Sequence, residues 1–240
     1  MTVSIRQSLL QLFGLAVPVN TRIPRAQRLR RAILRSDERL RDQYLRLVEK
    51  PKLHIGSGLR RLDGWLNTDI DLIPDVMHMD ATEQFPFADN TFEYVFTEHM
   101  IEHVPHLEGM RMLRECYRVL RHGGVIRVIT PDLATIIGLY ARDQRPDQRE
   151  YLQWFSQAFL QDGSAPNAVL AINAMFRLWG HQFLYDETTL NHSMTEAGFR
   201  AVQRHNLGDS SHLALQNLEN EQRYPKGMLN FESLALEGLK

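Results

Sequence analysis

Three short blocks fall in order between Lys52 and Asp80: Lys-Leu-His-Ile-Gly-Ser-Gly (52–58), Gly-Trp-Leu-Asn-Thr-Asp (64–69) and Val-Met-His-Met-Asp (76–80). In the first, an apolar strand runs into the turn Gly56-Ser57-Gly58, where small residues let a ligand come close to the backbone. Free N–H groups at the start of a following helix would point at that ligand. Asp69 closes the second block, and one carboxylate there can accept from two vicinal hydroxyls. Asp80 closes the third. That order of parts suits a nucleoside ligand lying across the carboxyl edge of a parallel sheet. A Gly-x-Gly pair alone marks only a turn; the order of three strand ends carries the inference.

Those residues need a sheet to hold them. Apolar runs predict strands at Leu53–Ile55, Trp65–Asp69, Val76–Asp80, Phe92–Thr97 and Val125–Thr130. Between the last two, Met110, Leu113, Cys116, Tyr117 and Leu120 recur at helical spacing over about residues 107–121, and His122-Gly123-Gly124 follows as a stop and strand entry. Alternating strands and helices predict a doubly wound parallel α/β sheet. Residues 132–197 read as mostly helical and are rich in Trp154, Phe155, Phe159, Met175, Phe176, Leu178 and Trp179. That wealth of large apolar groups suits a pocket wall and plain core equally. Asp186 is placed to cap a helix ending at Gly198, and Phe199–Leu207 and Phe231–Leu239 read as two late strands.

The bulk composition narrows the function. The chain has 240 residues, 43% of them hydrophobic, and a formal net charge of −1. That is ordinary for one domain with its own core. Residues 1–50 hold 11 Lys/Arg against 4 Asp/Glu, whereas residues 51–240 hold 17 against 25. The acidic main body lacks a phosphate-binding stripe, which argues against nucleic acid. Residues 1–50 are expected to form a basic helical extension. Leu9, Leu12, Phe13 and Val17 share one face, and Leu29, Ile33, Leu40, Leu45 and Val48 recur among the arginines. Such an arm suits packing on the domain, or contact with a membrane surface or an acidic protein. No run of about 18 apolar residues predicts a membrane span. The patch Leu9–Val19 is broken by Gln11, Gly14 and Pro18 and is not read as a signal peptide. The single Cys116 excludes an intrachain disulfide and fits a reducing compartment, so a cytoplasmic location is expected.

Further blocks stand in a recognisable order. They are Phe-Pro-Phe-Ala-Asp-Asn-Thr-Phe-Glu-Tyr-Val (85–95), Glu-His-Met-Ile-Glu-His-Val (98–104) and Leu-Arg-His-Gly-Gly-Val-Ile-Arg-Val-Ile-Thr-Pro-Asp (120–132). Gly-His-Gln-Phe-Leu-Tyr-Asp (180–186), Glu-Ala-Gly-Phe (196–199) and Glu-Ser-Leu-Ala-Leu-Glu (232–237) follow. With the first two blocks, this series resembles the class I S-adenosylmethionine-dependent methyltransferases, in particular the bacterial branch called type 11. The resemblance covers about residues 52–240. It implies a Rossmann-like, mostly parallel seven-stranded sheet with a late antiparallel hairpin whose last strand lies beside the fifth; the residue pattern adds N-terminal helices and a helical insertion at about 132–185. The resemblance also implies S-adenosylmethionine as methyl donor. By position, Gly56, Ser57 and Gly58 lie under its methionine part, Asp69 holds the ribose, Asp80 and Ala81 face the adenine, and Thr97 and Glu98 border the methyl-transfer position. His54 and Arg60 depart from the family pattern, which usually has an acidic residue and a glycine at these positions.

Methyl transfer from a sulfonium needs positioning above all, and a base only for a protonated acceptor. His99 and His181 are the candidates, since a histidine pKa suits that task. His99-x-x-Glu102-His103 also matches a zinc-peptidase pattern. Some methyltransferases acting on RNA ends or catechol-like rings place Glu-x-x-Glu-His at this position and bind a divalent ion; here His99 replaces the first Glu. Glu102 and His103 read more simply as braces for the next helix, and no metal ligand is assigned. The expected activity is methyl transfer to a small-molecule or saccharide-precursor acceptor. The alternative is a non-catalytic binding or assembly module on the same scaffold.

Overall fold

The computed structural model describes residues 36–160 and 165–240. The expected apolar helix over residues 9–18 lies outside these residues, as does most of the basic extension. Its end is helix α1 (Ser36–Leu47), whose first turn carries Asp37 and Glu38, favourable beside the helix N-terminus. Asp37 also accepts from the His78 amide at 3.0 Å.

The sheet has seven strands: β1 (Lys52–Ile55), β2 (Leu66–Asp69), β3 (Met77–His78), β4 (Phe92–Glu98), β5 (Leu120–Pro131), β6 (Arg200–His205) and β7 (Ser233–Leu239). Their spatial order is β3-β2-β1-β4-β5-β7-β6. The first five run parallel, and β7 inserts antiparallel between β5 and β6. This is the expected sheet, late hairpin included. Helix α2 (His106–Val119) joins β4 to β5 and buries Met112, Leu113, Cys116 and Val119 against the sheet. The strand order reverses between β1 and β4. That switch point is where open α/β sheets bind ligands.

Several element ends differ from the expectation. The third strand keeps only Met77 and His78 in the ladder, because Asp80 turns the chain by accepting from Thr82. The fifth strand starts at Leu120 rather than Val125: Leu120 pairs with Phe92, and Gly123 and Gly124 pair their backbones with Lys240. The last strand starts at Ser233, preceded by a short helix, Met228–Glu232. Beyond β5 come helices α3 (Leu133–Gly138), α4 (Pro146–Phe155) and α5 (Ala168–Arg177), with a π-turn at Ser156–Leu160. Their apolar faces form a second core around Tyr151, Phe155 and Met175. Helix α6 (Glu187–Glu196) is capped by Asp186, which accepts from the Thr189 amide at 2.8 Å. No helix of the described residues is long and apolar enough to cross a membrane.

His54 replaces the family's acidic residue and is buried in β1. The Asn67 amide nitrogen donates to Leu62 and Trp65 carbonyls, so its Oδ1 is the acceptor for His54 Nδ1–H at 2.9 Å. Burial pushes the His54 pKa from 6.5 down to about 4, against the raising pull of Asn67 and Glu98. Between those values the unfolded chain binds a proton that the folded chain does not, so stability falls as pH drops through this window. Relative to His54→Gln, the wild type should lose about 2 kcal/mol of unfolding free energy from pH 7 to pH 5. Urea denaturation at both pH values checks this, and an unchanged difference would refute it.

Candidate functional site

Gly56, directly after β1, adopts φ +69° and Gly58 φ +53°. A Cβ on Gly56 would stand 2.5 Å from Met100 Cγ, so the turn lies flush against the residues after β4. A Cβ on Gly58 would meet nothing within 4 Å, so that side is open. Ser57 is buried, its amide bonded to the Thr68 carbonyl at 3.0 Å. Asp69 reaches back to the turn: Oδ2 accepts from the Gly58 amide at 2.7 Å and Oδ1 from the Asp71 amide at 2.8 Å. Each oxygen keeps acceptor capacity. Asp80 Oδ1 takes both the amide and the hydroxyl of Thr82, at 3.0 and 2.7 Å, and Ala81 packs on the core beside it. Gly56, Ser57, Gly58, Asp69, Asp80 and Ala81 thus follow the ends of β1, β2 and β3 in one row.

Across the switch point, Thr97 is fully buried and its hydroxyl has no hydrogen-bond partner. Glu98 accepts from the Asn220 amide at 3.0 Å and from Arg60 at 3.3 Å. Arg60 also donates to the carbonyls of Leu218 and Glu219. The guanidinium thereby ties the glycine turn to the 218–220 loop, a contact not apparent from the sequence.

A second group lies beyond β4. His99 has φ +51°, a conformation rare for a residue with a side chain and concentrated at functional sites. Its Nε2 lies 3.1 Å from Ser233 Oγ and its Nδ1 lies 3.3 Å from Glu102 Oε1. Glu102 is fully buried on the short 3-10 turn Ile101–His103, and its Oε2 accepts from the Thr130 hydroxyl at 3.0 Å. Burial alone would raise its pKa, but the hydrogen bond from His99 and the charges of His99, His103 and His181 hold it below the ordinary carboxylate range. Residues 182 and 183 donate their amides to the Glu102 carbonyl, and the Gln182 side chain donates to that of His103. These bonds bring His181 to His103, ring centroids 4.9 Å apart. His181 Nδ1–H donates to the Met175 carbonyl at 2.6 Å, and burial lowers its pKa from the ordinary value. Phe155, Phe159, Met175, Trp179 and Tyr224 wall a pocket floored by His99, Glu102, His103 and His181. The aromatic segments therefore serve both as a core and as a pocket wall.

The row of strand-end residues lies at the switch point of the sheet. Residues 61–128 match the family model described as a methyltransferase domain. The chain carries a methyltransferase domain over these residues. Among curated proteins, this methyltransferase domain is similar to 2-methyl-6-phytyl-1,4-hydroquinone methyltransferase 2, chloroplastic, of Oryza sativa subsp. japonica. The two are 35% identical over 91 residues, covering 36% of this chain and 25% of the relative. It is also similar to a sterol 24-C-methyltransferase of Schizosaccharomyces pombe, 46% identical over 54 residues, covering 22% of this chain and 12% of the relative. The chain thus spans a quarter or less of the length of these curated relatives. Among solved structures, a SAM-dependent methyltransferase from Archaeoglobus fulgidus aligns over 88% of this chain and 94% of its own at 16% identity, TM-score 0.46.

The donor set of the methyltransferase domain fits its family's cofactor. The glycine turn is open at Gly58, and Asp69 and Asp80 present carboxylates along the same edge.

Proposed function

We propose that the protein transfers the methyl group of S-adenosylmethionine to a small-molecule acceptor, a saccharide precursor included. The observation that carries this reading is the placement of the Gly56–Gly58 turn and Asp69 on one side of the sheet's switch point and the aromatic-walled pocket on the other. S-adenosylmethionine, when bound, supplies an electrophilic methyl on a sulfonium that is already a good leaving group. Gly56, Ser57 and Gly58 give it close access to the backbone. Asp69 accepts from the ribose hydroxyls; Asp80, with the backbone at Ala81, serves the adenine. Thr97 and Glu98 border the transfer position. The aromatic wall excludes water and suits a partly apolar acceptor. His99 is the first candidate base, its Nδ1 facing the Glu102 carboxylate and its Nε2 hydrogen-bonded to the Ser233 hydroxyl at 3.1 Å. His181 is the second, since its Nδ1 is occupied by Met175 and its Nε2 remains to accept.

Arg60 favours the alternative reading, a non-catalytic module, because it bridges Glu98 and the 218–219 carbonyls beside the glycine turn. Calorimetric titration with S-adenosylhomocysteine separates the two readings. We expect saturable 1:1 binding, followed by transfer of labelled methyl to hydroxylated aromatic or saccharide acceptors. A wild-type chain that folds yet releases no heat would remove the enzymatic reading. Deletion of residues 1–35, which spares helix α1 and its bond to β3, should leave that binding unchanged if the basic arm serves a membrane or protein partner.

A further inference from the structure

We propose that Glu102, His103 and His181 bind a divalent first-row transition-metal ion at the floor of the aromatic pocket. Each offers one ligand atom, and the three atoms lie within 4.8 Å of one another. Ligands on one tetrahedral ion at about 2.1 Å stand roughly 3.4 Å apart, so small side-chain adjustments close the set. Two imidazoles and a carboxylate suit zinc, manganese, iron or cobalt, and serve magnesium or calcium poorly.

Three further observations point to an ion rather than to a chance meeting. First, Glu102 is fully buried, and the contact of its Oε1 to His99 Nδ1 is a long one at 3.3 Å, which leaves that oxygen acceptor capacity. A buried carboxylate needs positive charge beside it, and an ion held by the neighbouring imidazoles would supply that charge directly. Second, the outer contacts are those of ligands held in aim. Met175 fixes the proton of His181 on Nδ1, which leaves Nε2 bare to bind, and Thr130 orients the Glu102 carboxylate. Third, the strap through Gln182 joins all three residues, bonding the backbone carbonyls of Glu102 and His103 and fixing the chain beside His181.

Three protein ligands would leave at least one coordination position, in a pocket that Phe155, Phe159, Trp179 and Tyr224 also line. A hydroxyl held there would be polarised by the ion. That consequence rests on the methyl-transfer reading, whereas the ion site itself does not. Ligation would also take His181 out of the two candidate bases and leave His99.

The test uses the full chain after chelator treatment, titrated with Zn2+ by calorimetry and with Co2+ by visible absorption. We expect one ion per chain and a ligand-field spectrum typical of a low-coordinate site. His181→Ala, at a partly exposed position, should weaken Zn2+ binding at least about 100-fold while the melting curve stays cooperative. His103→Ala provides a second variant should the first fail to fold. Saturable binding that persists unchanged in the folded variants, or no binding by the wild type, would overturn the site. S-adenosylhomocysteine affinity measured on the same samples distinguishes failure of the ion site from failure of the methyl-transfer reading.

Discussion

Asp69→Ala should weaken S-adenosylhomocysteine binding at least about 100-fold, the largest single effect expected at the cofactor side. A carboxylate accepting from two hydroxyls makes two charge-assisted hydrogen bonds, each contributing about 1.5–3 kcal/mol, and 1.4 kcal/mol is a factor of ten. The replacement also removes the acceptor of the Gly58 and Asp71 amides, so the turn itself loosens. Asp69→Asn separates the contributions. It keeps an acceptor for the turn but loses the charge, and should fall between wild type and Asp69→Ala. The measurement is calorimetry, with thermal melts confirming that each variant folds. An affinity within threefold of wild type for Asp69→Ala would place the nucleoside elsewhere.

The second large effect concerns stability and comes from a charge buried in the middle of β5. Arg127 is fully buried and bonds Glu219 at 2.5 and 3.0 Å, Glu237 at 2.7 Å, and the carbonyls of Asp209 and Asn206. It joins the central sheet, the inserted β7 and the loop after β6 through one guanidinium. Arg127→Met leaves two buried carboxylates without their cation, a change that costs about 3–5 kcal/mol. For a chain of this size that corresponds to a fall in melting temperature of roughly 6–20 °C. Converting Glu219 and Glu237 to Gln in the same chain should recover much of the loss, because the penalty is the unpaired charge rather than the missing bonds. Denaturant midpoints of the single and triple variants measure both. A loss below 1 kcal/mol for Arg127→Met would mean that water or a rearranged loop already serves these carboxylates.

The two effects also separate by where they act. Asp69 stands at the edge, and its loss is read mainly in ligand affinity. The Arg127 cluster holds the loop containing Leu218 and Glu219, to which Arg60 donates, so its loss should also loosen the cover over the glycine turn.

Much of this architecture could be read along the chain. Parallel strands buried on both faces appear as apolar runs, and the turns that end them appear as Gly, Asp or Asn, so β1, β2, β4 and their order follow from local pattern. Gly56, Ser57, Gly58, Asp69 and Asp80 follow too, because strand-end residues keep their sequence order along the edge of the sheet. Even the Asp186 cap was legible, since capping is a bond across three residues. The contacts that decide chemistry beyond the cofactor edge were not. His181 meets His103 and Glu102 only because the chain returns after α5, and Arg127 meets Glu219 and Glu237 only because β7 inserts beside β5. Such pairings are set by packing in three dimensions and leave no period in the sequence. The chain alone therefore determined the sheet, its glycine turn and the carboxylates beside it. Tertiary structure alone decided which histidines share a buried carboxylate, because that depends on through-space distance and not on spacing along the backbone.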